Sequence, residues 1–91
     1  MSTPSGNIDI YTTLFCPFCI RAKQVLDSKQ VIYHETDVTT RLSLRKAMTK
    51  RAGGCTSVPQ IFIDGQHIGG CNDLLALERS GQLDRLLQVA C

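Results

Sequence analysis

A chain of 91 residues with 10 Lys and Arg against 8 Asp and Glu has room for one domain with one modest core, and carries a net charge of only +2. It has no basic run and no interleaving of aromatic with cationic residues, so nothing points to nucleic acid or an anionic membrane as the partner. Residues 1–6, Met-Ser-Thr-Pro-Ser-Gly, lack the basic and apolar stretches of a signal peptide and read as a disordered tail, which leaves 7–91 as the domain and the cytoplasm as its compartment.

Along the chain, the hydrophobic period alternates between two and 3.6. Residues 8–12 predict a strand, and 17–29 a helix with Phe18, Ala22, Val25 and Leu26 on one face. Residues 31–36, Val-Ile-Tyr-His-Glu-Thr, predict a second strand. Thr39 or Thr40 can then cap a helix that buries Leu44, Ala47 and Met48, runs to about Ala52 and stops at Gly53-Gly54. The crossover between the first two strands requires a right-handed, parallel pair, whereas Gln60–Ile63, Asp64-Gly65 and Gln66–Ile68 predict a tight hairpin. The sheet is therefore mixed. Gly69-Gly70 breaks the chain, a helix follows from near Asn72 to Gly81, and Leu83, Leu86 and Leu87 mark a short terminal helix.

Cys16-Pro17-Phe18-Cys19 stands between the first strand and the first helix. Proline is favoured in the first helical turn, where its missing N–H would have no intrahelical partner, so Pro17 puts Cys16 at the helix entrance. Unpaired amides and the positive end of the helix dipole favour an anion there, which makes a Cys16 thiolate the predicted nucleophile. Cys19, at i+3, lies on the same face within disulfide reach but one turn further in, where burial keeps it a thiol; it is the predicted resolving partner. Arg21 and Lys23 add positive potential, although a solvated helix face is the plainer reading of both. Five cysteines are an odd number for a disulfide framework, and one working pair plus three others is the simplest accounting.

The order β-α-β-α-β-β-α with a Cys-x-x-Cys after the first strand resembles the thioredoxin fold, an α/β architecture. Four segments narrow the resemblance to the glutaredoxins, and within them to the small bacterial dithiol type: Tyr11-Thr12 ahead of the cysteine pair, Arg21-Ala22-Lys23 behind it, Thr56 to Ile63, and Ile68 to Leu74. The resemblance spans Ile8 to about Leu87 and implies a four-stranded mixed sheet in the order 2-1-3-4 flanked by helices. It also implies glutathione-dependent thiol–disulfide exchange. Cys16 alone would serve glutathione mixed disulfides, and Cys16 with Cys19 would serve protein disulfides. Glutathione would be a co-substrate and no cofactor would be bound. Its partners would be glutathionylated proteins and protein disulfides, with glutathione reductase acting through the glutathione pool on a protein that is itself a monomer.

The same resemblance assigns the binding residues. Ser57, Val58 and a cis Pro59 would meet the cysteine of glutathione, with the Val58 backbone pairing like one rung of a sheet. Gly69-Gly70 would admit close approach, the amides of Cys71 and Asn72 would receive the γ-glutamyl carboxylate, and Asp73 its ammonium. An ordinary turn with an N-cap is the bland alternative for this segment. For the glycine carboxylate, Thr13 stands where the family usually has lysine, and Arg51, seven residues before the valine, is the expected partner. Phe18 replaces the usual tyrosine and keeps an aromatic wall beside Cys16.

The remaining candidates carry less. Cys71 reads as core filler contributing backbone, while Cys55 and Cys91 have no assigned role. His34 and His67 read as surface or core residues. A metal site would need a second Cys-x-x-Cys, which is missing, so none is expected. The rival readings are a redoxin served by thioredoxin reductase, disfavoured by Arg51 and Asp73, an iron–sulfur cluster carrier, disfavoured by Pro17 and Cys19, and a plain interaction module with a structural cysteine pair.

Overall fold

The computed structural model describes residues 7–87. The expected tail and the terminal Cys91 lie outside the described residues. The order is β1 (Ile8–Thr12), α1 (Pro17–Ser28), β2 (His34–Asp37), α2 (Leu42–Arg51), β3 (Gln60–Ile63), β4 (Gln66–Gly69), α3 (Cys71–Ser80) and α4 (Gln82–Leu87). The sheet has the expected order β2-β1-β3-β4, with β1 and β2 parallel and the other pairs antiparallel. No helix among the described residues is long and apolar enough to cross a membrane.

Alternation along the central strands divides the molecule. Ile8 and Ile10 of β1 and Ile61 and Ile63 of β3 point into one cluster with Ala22 and Leu26 of α1, Leu74 of α3, and Leu83 and Leu87 of α4. Phe62, between Ile61 and Ile63, faces the other side and is fully buried, with the Arg51 guanidinium of α2 lying 4.0 Å from its ring centre. Burying a side chain of that size contributes about 2 to 3 kcal/mol. Between β3 and β4, Asp64 (φ 53°) and Gly65 (φ 80°) both have the left-handed backbone that a tight hairpin turn demands.

Three expectations need correction. The second strand starts at His34 and not Val31: Gln30 leaves α1 in a left-handed conformation (φ 58°), Val31 drops into the core, and Ile32 stays exposed. Parallel pairing of Asp9 with His34 then sets the register. The second helix starts at Leu42 behind Arg41, which makes no side-chain cap. Thr39 is occupied elsewhere, accepting the Leu14 N–H at 2.8 Å. In that helix Met48 is fully buried as expected, whereas Leu44 is half-buried and Ala47 is exposed.

Lys29, at the C-terminal end of α1, places its Nζ 2.7 Å from both Glu78 Oε1 of α3 and Asp84 Oδ1 of α4. Asp84, and then Glu78, raise the Lys29 ammonium above its ordinary value. A raised lysine stabilises the fold fully below its unfolded pKa, and that contribution fades as pH climbs through the folded value. Lys29→Met should lower the melting temperature by about 4 °C at neutral pH. In circular-dichroism melts the gap between parent and variant should narrow once pH passes the ordinary lysine value of about 10.4.

Candidate active site

Cys16 is the N-cap of α1. Its backbone is extended (φ −111°, ψ 103°), Pro17 follows in the first turn, and its Sγ accepts the Cys19 N–H at 3.1 Å. Sulfur thus fills the place usually taken by a Ser, Thr, Asp or Asn oxygen, at the helix end where negative charge is favoured. Cys16 is 9% exposed and Cys19 only 1%. Both are free thiols. Burial pushes the Cys19 thiol up to about 12, helped by its hydrogen bond to Cys16 and by the charge on that sulfur, against a backbone bond from Thr13 and the charge of Lys23. Lys23 is steered by Glu35, whose Oε2 lies 3.0 Å from Nζ and also accepts the buried Thr12 hydroxyl at 2.7 Å. Lys23, partly exposed and paired with Glu35, is the last of the causes that act on Cys19.

The residue before Cys16 departs from ordinary backbone geometry. Phe15 has φ 56°, a left-handed conformation that costs a bulky side chain about 1 to 2 kcal/mol, and is 97% exposed. The Leu14 amide bonded to Thr39 holds that turn from below. With Leu14 and Phe18, both more than half exposed, Phe15 gives Cys16 an apolar rim.

Beside this rim lies a cleft of about 570 Å³. Phe18 stands at one end. One wall is Ser57, Val58 and Pro59, joined through a cis Val58–Pro59 bond. The opposite wall is the start of α3, with Gly70, Cys71, Asn72 and Asp73. The structure therefore brings together all the expected binding residues except Arg51. Among the described residues no hydrogen bond uses the Val58 N–H or C=O, or the N–H groups of Cys71 and Asn72. Asp73 Oδ2 accepts the Gly70 N–H at 2.9 Å, closing the helix entrance. Gly69 (φ 119°) must lack a side chain, because a Cβ there would overlap the Asp73 carboxylate. Cys71 is 4% exposed, burial raises its thiol, and Arg21 opposes that rise.

Arg51 lies outside this cleft. Its guanidinium donates to Asp9 Oδ2 at 3.1 Å and to the Tyr11 hydroxyl at 3.2 Å while lying over Phe62, and it does not line the cleft. Arg45, one helix face away, instead reaches the loop before Val58, donating to the Thr56 carbonyl at 3.0 Å. The sequence reading gave Gln60 no role and took His67 for a surface or core residue; His67 is exposed, and both line the cleft. Gln60, a buried amide in the apolar run Val58–Ile63, carried the usable signal, since a buried polar side chain requires partners. Exposed Cys55 borders the same cleft.

The glutaredoxin family model matches residues 8–68. Glutaredoxin 3 of Escherichia coli K12 is 52% identical over 83 residues, covering 91% of this chain and 99% of its own. Among solved structures, a glutaredoxin from Brucella melitensis superposes with a TM-score of 0.81 at 44% identity, covering 92% of this chain and 90% of its own. A buckwheat glutaredoxin solved in complex with glutathione superposes with a TM-score of 0.83 at 26% identity, covering 93% and 79%.

Burial and the raised Cys19 thiol make the two active-site cysteines unequal toward alkylating reagents. Brief treatment with iodoacetamide at pH 8, followed by peptide mapping, should label Cys16 and exposed Cys55 while leaving Cys19 and Cys71 intact. Labelling of Cys19 ahead of Cys16 would reverse the assigned roles.

Proposed function

Because this chain belongs to the glutaredoxin family, thiol–disulfide oxidoreductases with the thioredoxin fold, we propose that its working reductant is glutathione and its substrates are glutathione mixed disulfides and protein disulfides. The observation that carries this reading is the peptide edge at Val58. An unpaired N–H and C=O face a cleft whose other wall offers the free amides of Cys71 and Asn72 and the Asp73 carboxylate. Glutathione is a short peptide with an internal thiol, and these groups match its backbone, its γ-glutamyl carboxylate and its ammonium in turn. Ser57, Pro59, Gly70 and Phe18 shape the walls between them.

The Cys16 thiolate attacks the glutathione sulfur of a mixed disulfide. A Cys16–glutathione disulfide forms, the old sulfur–sulfur bond breaks, and the electron pair leaves on the substrate thiolate, which is protonated from water. Held in line by the Val58 edge and the α3 entrance, the bound glutathione sulfur is then attacked by a second glutathione thiolate. Oxidised glutathione departs and Cys16 returns as thiolate. With a protein disulfide, Cys16 first bonds to the substrate and Cys19 displaces it, giving a Cys16–Cys19 disulfide that two glutathiones reduce. Glutathione reductase with NADPH renews the pool in the cytoplasm.

The glycine carboxylate needs a cation near the Ser57–Val58 wall. Arg45 suits it better than Arg51, because its guanidinium is already at the Thr56 carbonyl and Arg51 is paired with Asp9.

The test is NADPH consumption coupled through glutathione reductase, with the mixed disulfide of glutathione and 2-mercaptoethanol as substrate. Cys16→Ser should fall to background and Cys19→Ser should keep most of the turnover. Arg45→Ala should raise KM for glutathione about tenfold, the size of one lost charge-assisted contact, whereas Arg51→Ala should leave it within about twofold. Turnover with thioredoxin reductase in place of glutathione would sink the proposal.

A further inference from the structure

The Ser57 carbonyl accepts the Gln60 Nε2–H at 2.9 Å, and the Gln60 Oε1 lies 2.6 Å from His67 Nε2. A carbonyl can only accept, so the Gln60 amide must turn its nitrogen to Ser57 and its oxygen to His67. His67 Nε2 must then carry the hydrogen. The chain is directed: the His67 N–H donates to the Gln60 oxygen, and the Gln60 nitrogen donates to the Ser57 oxygen. Gln60 is 2% exposed and its buried amide is satisfied by these partners, with His67 at the exposed end of the chain of bonds.

The Ser57 carbonyl belongs to the same rigid peptide unit as the Val58 N–H. In a planar trans peptide these two groups point in opposite directions, so whatever fixes one aims the other. We propose that His67 and Gln60 are positioning residues that aim and polarise the Val58 N–H toward the substrate in the cleft, an inference that rests on glutathione being the ligand there. Consecutive hydrogen bonds polarise each other, so a proton held on His67 strengthens the donor at Val58. His67 is placed for this by β4: it pairs with Phe62 beside the bulge at Ile61/Phe62, and its ring lies 5.0 Å from that of Phe62. The link across the hairpin makes the wall of the cleft depend on a side chain in the next strand.

Three variants separate positioning from mere packing. His67→Phe keeps an aromatic ring against Phe62 and removes the donor, His67→Gln restores an N–H donor, and Gln60→Met keeps the volume of the amide and removes both of its groups. In the coupled assay, His67→Phe and Gln60→Met should raise KM for the mixed disulfide about three- to tenfold, with kcat within about twofold of the parent. His67→Gln should recover most of the loss. The Val58 amide resonance of the glutathione-free protein should shift in the Phe and Met variants and return in the Gln variant. Parent KM and an unmoved Val58 resonance in His67→Phe would overturn the inference, as would His67→Gln as impaired as His67→Phe. A parent without glutathione turnover would instead overturn the glutathione reading, and the Val58 resonance would still decide the positioning role.

Discussion

A single contact, the Cys19 N–H donated to Cys16 Sγ, ties the chemistry to the fold. It makes the reactive sulfur part of the helix it heads, so the first turn of α1 is completed by the atom that must leave to react. Pro17 supplies the fixed φ and removes one amide that would have needed a partner. The rest of the site follows from this placement. Since α1 packs on the Ile8, Ile10, Ile61 face through Ala22 and Leu26, the start of the helix has one edge where Cys16 keeps a little of its surface open and one, at Cys19, that is closed.

The facing wall is built from the other side of the sheet. The Ser57–Pro59 loop has no regular secondary structure of its own, and side chains hold it from two directions. Arg45 of α2 binds the Thr56 carbonyl and Gln60 of β3 binds the Ser57 carbonyl. Both bonds take up carbonyls and leave the Val58 edge free. On the same face, Arg51 lies on Phe62 and pairs with Asp9, locking the end of α2 to the central strands. Two arginines on one short helix thus divide between anchoring the helix and bracing the site.

That division explains which parts of the site could be read from the chain. Cys16, Cys19, the Asp64-Gly65 turn and Gly69 were legible because each is fixed by local backbone geometry: a helix start, two left-handed residues, a close approach. Arg51 and Arg45 were not distinguishable, since a long flexible side chain can reach several partners and the choice is made by packing on Phe62. The second strand was misplaced for a related reason. Its register comes from backbone pairing with β1, while its side chains at His34, Glu35 and Asp37 are exposed, so the apolar pair Val31-Ile32 drew the predicted start three residues too early. Charged residues on an edge strand carry little hydrophobic signal, and they also discourage pairing with another chain. Thr39 was read as a helix cap because its hydroxyl suits that role; in the fold the same hydroxyl holds Leu14, next to the strained Phe15.

In the proposed exchange, the raised Cys19 thiol favours Cys16 as the first nucleophile. Three of its causes act together: burial first, then the hydrogen bond to Cys16 and the charge on Cys16. All three favour the Cys19 thiol over its thiolate, so in the proposed exchange the pair presents one nucleophile and not two competing ones. Once Cys16 enters a disulfide its charge is gone, and the two contributions that depend on it weaken while burial remains. Lys23, held near by Glu35, then has less to oppose in drawing the proton off Cys19. In the proposed exchange the second cysteine thereby gains reactivity from the step that it follows, and its burial favours an outside thiol where the mixed disulfide is small.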